Sequence, residues 1–103
     1  MTVFNYAVHS SWSTLPSVRY KVNVRDGTCV YTVEKGWGDF RSLCGVVKGG
    51  REVWEREGMK EVESGRKGWS VQHRIEKLNR VLEFCVEEDG EVVRRWGERE
   101  GRR

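Results

Sequence analysis

Apolar side chains alternate along two neighbouring stretches of the chain and predict a β-hairpin. Every second residue is apolar from Val18 to Val24 and again from Cys29 to Val33, and the pair Asp26-Gly27 lies between them. Such a pair between alternating runs favours a two-residue type I′ turn, which needs positive φ at both central positions. The register counted outward from this turn places the apolar side chains on one face and Arg19 opposite Glu34.

A further strand is predicted before the hairpin. Residues Thr2 to His9 are rich in β-branched and aromatic side chains, whereas Ser10 to Ser17 is rich in serine and contains the single proline. We therefore expect a strand followed by a connection. Three consecutive strands predict an antiparallel meander with one covered face.

Apolar residues at helical spacing follow the strands. Asp39 is the predicted N-cap of a first helix, and Gly49-Gly50 is predicted to end it. Residues 51–68 predict a short helix and then an irregular basic loop, because glycines interrupt this stretch.

Two more helices are predicted in the last third of the chain. Ser70 is the expected N-cap of the clearest amphipathic helix, which should end at Asp89-Gly90. A short helix from Glu91 to Trp96 is expected to follow.

The predicted fold class is α+β, with a three-stranded antiparallel β-meander packed against a helical subdomain. A chain of 103 residues has the length of one domain. We assign residues 1–97 to this domain and residues 98–103 to a basic C-terminal tail.

Charge and cysteine content limit the functional classes. The 19 Lys and Arg residues against 16 Asp and Glu give a net charge of +3, too small a bias for a dedicated nucleic-acid binder. Cys29, Cys44 and Cys85 are an odd number without metal-ligand spacing, and each falls on the apolar face of its element. We expect buried free thiols, no bound metal and a reducing compartment.

The N-terminus lacks a signal-peptide pattern, and no apolar run approaches the ~18 residues of a membrane span. His9 and His73, the two histidines, have no Ser, Cys or carboxylate partner in a motif. No glycine-rich run matches a phosphate-binding loop. We therefore predict a cytoplasmic protein that is not an enzyme and has no cofactor.

Two segments resemble the phox-homology (PX) domain family. Residues 20–43 contain two strands and then Gly36-Trp37-Gly38-Asp39-Phe40, which is similar to the Arg-Arg-Tyr-Ser-Asp-Phe-like motif of that family. Residues 73–82 are similar to the start of its long helix. The order of elements and the length also suit a compact PX domain, so the resemblance covers nearly the whole chain.

PX domains bind phosphoinositides on endosomal membranes, and the resemblance implies roles for residues of this chain. Trp37 corresponds to the aromatic residue that packs on the inositol ring, and Arg74 to the arginine that contacts ring hydroxyls. Gly36 stands where the family has the arginine that holds the 3-phosphate, and glycine cannot replace that contact. The basic residues in the stretch equivalent to the family's proline-rich loop are Lys60, Arg66 and Lys67.

Each candidate residue also has a purely structural interpretation. Trp37 can anchor the core, and Arg74 can be solvated on its helix instead of binding an anion. Lys35 can be an exposed charge at a strand end instead of a replacement for the missing arginine. Trp69 can contact a membrane interface or fold back on to the next helix.

Two functions remain open. The first is a non-catalytic PX-like docking module, an adaptor that binds another protein or itself through sheet edge and helix surfaces. The alternative is a weak or non-standard domain for phosphoinositide or anionic-membrane binding, used for membrane targeting. In both cases we expect a location in the cytoplasm, at the surface of endosomal membranes or at the cytoskeleton.

Overall fold

Three β-strands are followed by five helices in the described part of the chain. The computed structural model describes residues 1–11, 14–65 and 68–98, and for residues 9–11 and 14–17 it describes the main chain only. The elements are β1 (Thr2–Ser11), β2 (Thr14–Asp26), β3 (Cys29–Gly36), α1 (Trp37–Val46), α2 (Gly50–Arg56), α3 (Met59–Glu63), α4 (Val71–Glu88) and α5 (Gly90–Trp96). This arrangement confirms the α+β class.

The strands form one antiparallel sheet in the order β1-β2-β3, which confirms the meander. β1 extends to Ser11 and β2 begins at Thr14. The prediction of a connection from Ser10 to Ser17 is therefore wrong for residues 10–11 and 14–17, which lie in strands. Ser11 still pairs with Thr14. Main-chain pairing thus continues along Ser and Thr residues, whose sequence lacks the apolar alternation by which a strand is recognised. Trp12 and Ser13 lie outside the described residues.

The β2–β3 turn lies one residue later than predicted. Asp26 pairs with Cys29, so the two-residue loop is Gly27-Thr28. Gly27 has φ of 64°, and within the described residues only glycines have positive φ. This is the pattern of a type II′ turn, in which the first central residue alone needs positive φ. A type I′ turn would require that conformation of Asp26, whose Cβ disfavours it.

The shifted turn changes the pairing of β3 with β2. Arg19 lies opposite Gly36 rather than Glu34, although its guanidinium donates a hydrogen bond to the Glu34 carbonyl (3.2 Å). Cys29 lies directly after the turn and is exposed. The prediction of a buried Cys29 is therefore wrong, whereas Cys44 and Cys85 are buried as expected.

The first helix begins earlier and ends earlier than predicted. Gly36 is the N-cap, and Asp39 lies within the first turn, where its carboxylate accepts a hydrogen bond from the Gly36 N–H (2.7 Å). An acidic side chain there also favours the helix dipole. The helix ends at Val46, and Gly50 is the first residue of α2 rather than part of a stop signal.

Two short helices occupy most of the stretch from residue 51 to residue 65. The short helix expected there is confirmed as α2, but residues 59–63, expected to be irregular, form α3. Gly58, with φ of 82°, separates the two helices. A Cβ at Gly50 would overlap the main-chain carbonyl of Cys44. The missing side chain therefore lets α2 pass close to α1.

The predicted Ser70 cap and the predicted end of α4 are confirmed, and α5 begins at Gly90, one residue before the predicted start. The Ser70 hydroxyl accepts a hydrogen bond from the His73 N–H (3.1 Å), and α4 ends before Asp89. The Asp89 carboxylate accepts from the Val92 N–H (3.3 Å) and so caps α5. Helices and sheet share one core, whose largest fully buried side chains are Tyr20, Phe40, Met59, Leu78 and Leu82.

Candidate functional site

Trp37 and Arg74, the two residues matched to the PX binding site, lie together. Trp37 is the first residue of α1, and Arg74 lies in the first turn and a half of α4. The guanidinium carbon of Arg74 is 5.9 Å from the centre of the Trp37 ring, and both side chains are half-buried. The Nε of Arg74 is buried and has no hydrogen-bond partner among the residues that the structure describes. The pair thus combines a stacked cation with an unsatisfied donor.

A carboxylate binds the indole N–H of Trp37. Glu63, the last residue of α3, accepts hydrogen bonds from the indole N–H of Trp37 (3.1 Å) and from that of Trp54 (3.4 Å). Arg41 Nη1 binds the same carboxylate at 2.8 Å. Three donors from α1 and α2 therefore converge on one side chain of α3.

The two indole rings hold this arrangement in place. The Trp37 and Trp54 rings pack edge to face, with centroids 5.3 Å apart and planes at 64°. Trp54 is buried, so its indole N–H would lose hydrogen bonding to water without an acceptor. Glu63 was not predicted from the sequence, because its partners are 9 to 26 residues away along the chain and no motif links them.

Lys35 is buried rather than an exposed charge at the strand end. It lies opposite Tyr20 in the sheet, on the covered face, and is 9% exposed. Its ammonium group is 4.9 Å from the centre of the Trp96 ring of α5. Trp96 in turn donates a hydrogen bond to the Asp39 carbonyl (3.1 Å). Lys35 therefore helps to hold α5 against the start of α1.

Trp69 is half-buried against α4 and the α2–α3 junction. Its ring packs edge to face on His73, with centroids 4.7 Å apart, and the ammonium group of Lys77 lies 5.7 Å from its ring. A Cβ at Gly58 would lie 3.3 Å from the Trp69 ring. This packing matches the interpretation in which Trp69 folds back on to the next helix, and its contact with a membrane stays a prediction.

Of the remaining basic candidates, Lys60 lies in the part of the chain that the structure describes, and it pairs with Glu55. Lys60 is exposed on α3, and its ammonium group is 3.4 Å from a Glu55 carboxylate oxygen. Arg66 and Lys67 lie outside the described residues.

A cleft of about 490 Å³ opens between α1, α2 and α3 beside Glu63. Val46 in its wall is 69% exposed, which is high for a valine. The lining residues are Arg41, Ser42, Cys44, Gly45, Val46, Arg51, Trp54, Glu55, Lys60 and Glu63. The cleft therefore combines apolar walls with basic side chains. Its two carboxylates are in ion pairs, Glu55 with Lys60 and Glu63 with Arg41.

The two buried cysteines lie at the contact between α1 and α4. The hydrogen bond from Cys44 to Cys85 raises the pKa of the Cys44 thiol well above its usual value, and burial adds to this. The described residues contain no group of three or more His, Cys, Asp or Glu side chains arranged to hold a metal ion.

Comparisons with protein-family models, curated proteins and solved structures gave no match. None of the helices in residues 1–11, 14–65 and 68–98 combines the length and apolar character needed to cross a bilayer.

Proposed function

We propose that this chain is a non-catalytic docking module with a PX-like fold that acts mainly through contacts with another protein. The Glu63 carboxylate carries the proposal, because it already occupies the donors of Trp37, Trp54 and Arg41. A phosphate approaching Trp37 would meet this negative charge. It would also find Gly36 in place of the arginine of PX domains.

Exposed apolar side chains support protein binding. Phe4, Tyr6 and Val8 on the edge strand β1 are 52%, 42% and 57% exposed, an apolar concentration typical of interaction surfaces. The main-chain groups of this edge are partly shielded. Asn79 binds both the N–H and the carbonyl of Val3 (2.8 and 2.9 Å), and the Asn5 side chain accepts from the Tyr6 N–H (2.8 Å). These contacts favour docking through side chains over addition of a strand.

Sedimentation with vesicles and affinity capture together test this function. We expect no more binding to phosphatidylcholine vesicles that contain a single phosphoinositide than to phosphatidylcholine alone. We also expect the immobilised chain to retain a defined protein from cytosol. The Tyr6→Ser variant or the Val46→Asp variant should fail to retain that protein, because each replaces an exposed apolar side chain with a polar one. Saturable binding to phosphoinositide vesicles with no such retained protein would contradict the proposal.

Arg74 favours a second candidate, a weak anionic-membrane binding domain. Its buried Nε has no partner within residues 1–11, 14–65 and 68–98, and its guanidinium stacks on Trp37. If this function holds, Arg74→Ala abolishes vesicle binding, whereas Arg25→Ala preserves it. Arg25 is a suitable control because it has the same charge and is exposed beside the β2–β3 turn. An equal loss of vesicle binding in the two variants would mean that the chain is attracted to the vesicles by its overall charge and not by a site at Arg74.

Both candidates imply a location in the cytoplasm. The docking function predicts a position at endosomal membranes or the cytoskeleton that depends on the bound protein rather than on lipid.

A further inference from the structure

The donors around Glu63 form a complete receptor for one carboxylate. Two indole N–H groups and one guanidinium point at the same group, and all three belong to α1 and α2. Contact between the Trp37 and Trp54 rings fixes the two indole donors independently of Glu63. The two indole donors would therefore stay in place if the carboxylate left, and the exposed Arg41 guanidinium would be open to a new partner.

The carboxylate itself comes from a separate short element. Glu63 ends the five-residue helix α3, and Ser64 and Gly65 follow it in a turn. At the other end of α3, Met59 is 0% exposed and anchors the helix in the core. The Glu63 side chain is 22% exposed and lines the open cleft. It can therefore turn out of the receptor while Met59 stays in place.

The receptor suits a carboxylate better than a phosphate dianion. It provides one positive charge and two neutral donors, which match the single charge of a carboxylate. Glu55 also lines the cleft and would repel a second negative charge. The adjoining wall at Val46 and Trp54 is apolar, and Arg51 lines the same cleft. An acidic side chain with an apolar neighbour in a peptide fits this combination.

We propose that Glu63 is an internal competitor for an acidic peptide of a partner protein. The partner's Glu or Asp carboxylate displaces Glu63 from Trp37, Trp54 and Arg41, and an adjacent apolar side chain enters the cleft beside Val46. This inference rests on the docking function proposed above and names the chemistry of its partner. Glu63 reduces the apparent affinity in proportion to the fraction of molecules in which it fills the receptor.

Removal of the competitor tests this directly. The probe is a peptide with an acetylated N-terminus, an amidated C-terminus and one central Glu-Leu pair, and the same peptide with Gln-Leu in that place is its neutral counterpart. Binding is followed through the indole N–H resonances of Trp37 and Trp54 in an NMR titration. If Glu63 fills the receptor in about nine molecules of ten, Glu63→Ala raises the affinity for the acidic peptide about tenfold.

Matched variants separate displacement from general effects. Glu63→Gln keeps the size of the side chain and should also raise the affinity for the acidic peptide. It replaces Glu63→Ala in the titration if that variant does not fold. Glu52→Gln, exposed on α2 and outside the cleft lining, removes the same charge and should leave the affinity unchanged. Adding Arg41→Ala to either Glu63 variant should cancel the gain.

Three results would overturn the proposal. The first is unchanged affinity for the acidic peptide in folded Glu63 variants. The second is an equal gain for the Gln-Leu peptide, which would mean that only apolar surface had been uncovered. The third is a gain for inorganic phosphate without one for the peptide. Because the peptide assay uses no cellular protein, it can fail while the capture experiment succeeds, and the two ideas are thus tested separately.

Discussion

Asn79 fixes the position of α4 against the edge of the sheet. Its side chain accepts from the Val3 N–H and donates to the Val3 carbonyl, at 2.8 and 2.9 Å. In the described part of the chain β1 is an edge strand, with β2 as its one neighbour. One amide side chain therefore both docks the long helix and shields part of an open strand edge.

Replacement of Asn79 by Ala should lower the free energy of unfolding by about 2 kcal/mol, since two partly buried main-chain groups lose their partners. Urea unfolding measures the change. Glu83→Ala, at an exposed position of the same helix, is the control and should change stability by less than about 0.5 kcal/mol. A similarly small effect for Asn79→Ala would mean that these hydrogen bonds do not dock the helix.

The absence of a side chain at Gly50 sets the distance between α1 and α2. Gly50→Ala would drive a Cβ into the Cys44 carbonyl, so we expect a loss of about 2 kcal/mol or more, from the cost of overpacking. A Cβ added at Gly38 in α1 would have no described atom of another element within 4 Å. Gly38→Ala should therefore be neutral or stabilising by up to about 1 kcal/mol. Equal effects at the two positions would contradict the close approach of the helices.

The three cysteines should differ sharply in reactivity. Cys29 is exposed, whereas Cys44 and Cys85 are buried, and the pKa of Cys44 is raised by its hydrogen bond to Cys85. We expect the folded protein to react with Ellman's reagent at one thiol per chain, and the unfolded protein at all three. Cys29→Ser should abolish the reaction of the folded protein. Rapid modification of a second thiol before unfolding would be inconsistent with this packing.

At the scale of the elements, patterns within one segment were predictable and contacts between segments were not. The apolar face of α4 and its Ser70 cap each depend on residues close together in the sequence, and both were predicted. The β2–β3 strands were also found, but the turn residue was not, because Asp26-Gly27 and Gly27-Thr28 are both plausible two-residue loops. That shift of register moved Lys35 opposite Tyr20.

The Ser70 cap allows a prediction for α4 as a whole. Ser70→Ala removes the acceptor of the His73 N–H and should lower the free energy of unfolding by about 1 kcal/mol. Ser70→Asp should retain most of the stability, because a carboxylate both caps the helix and favours its dipole. Equal urea midpoints for the Ala and Asp variants would exclude a capping role.

For the whole molecule, the sequence predicted the candidate pair but not its surroundings. The resemblance to PX domains paired Trp37 with Arg74, and the fold brings them to 5.9 Å. The position of the Glu63 carboxylate beside Trp37 depends on how α1, α2 and α3 pack together. The spacing of apolar residues along the sequence does not predict that packing. In the proposed function, Gly36, at the position of the arginine in the PX-like motif, and the Glu63 carboxylate both disfavour a phosphate ligand.

In the proposed function, Glu63 keeps the donor groups around Trp37 occupied and away from phosphate. Titration with soluble inositol 1,3-bisphosphate, followed through the indole N–H resonance of Trp37, measures whether this claim holds. We predict no saturable shift of that resonance in the unaltered protein at millimolar ligand. A saturable shift that Arg74→Ala removes would contradict the claim and make the chain a phosphoinositide-binding domain.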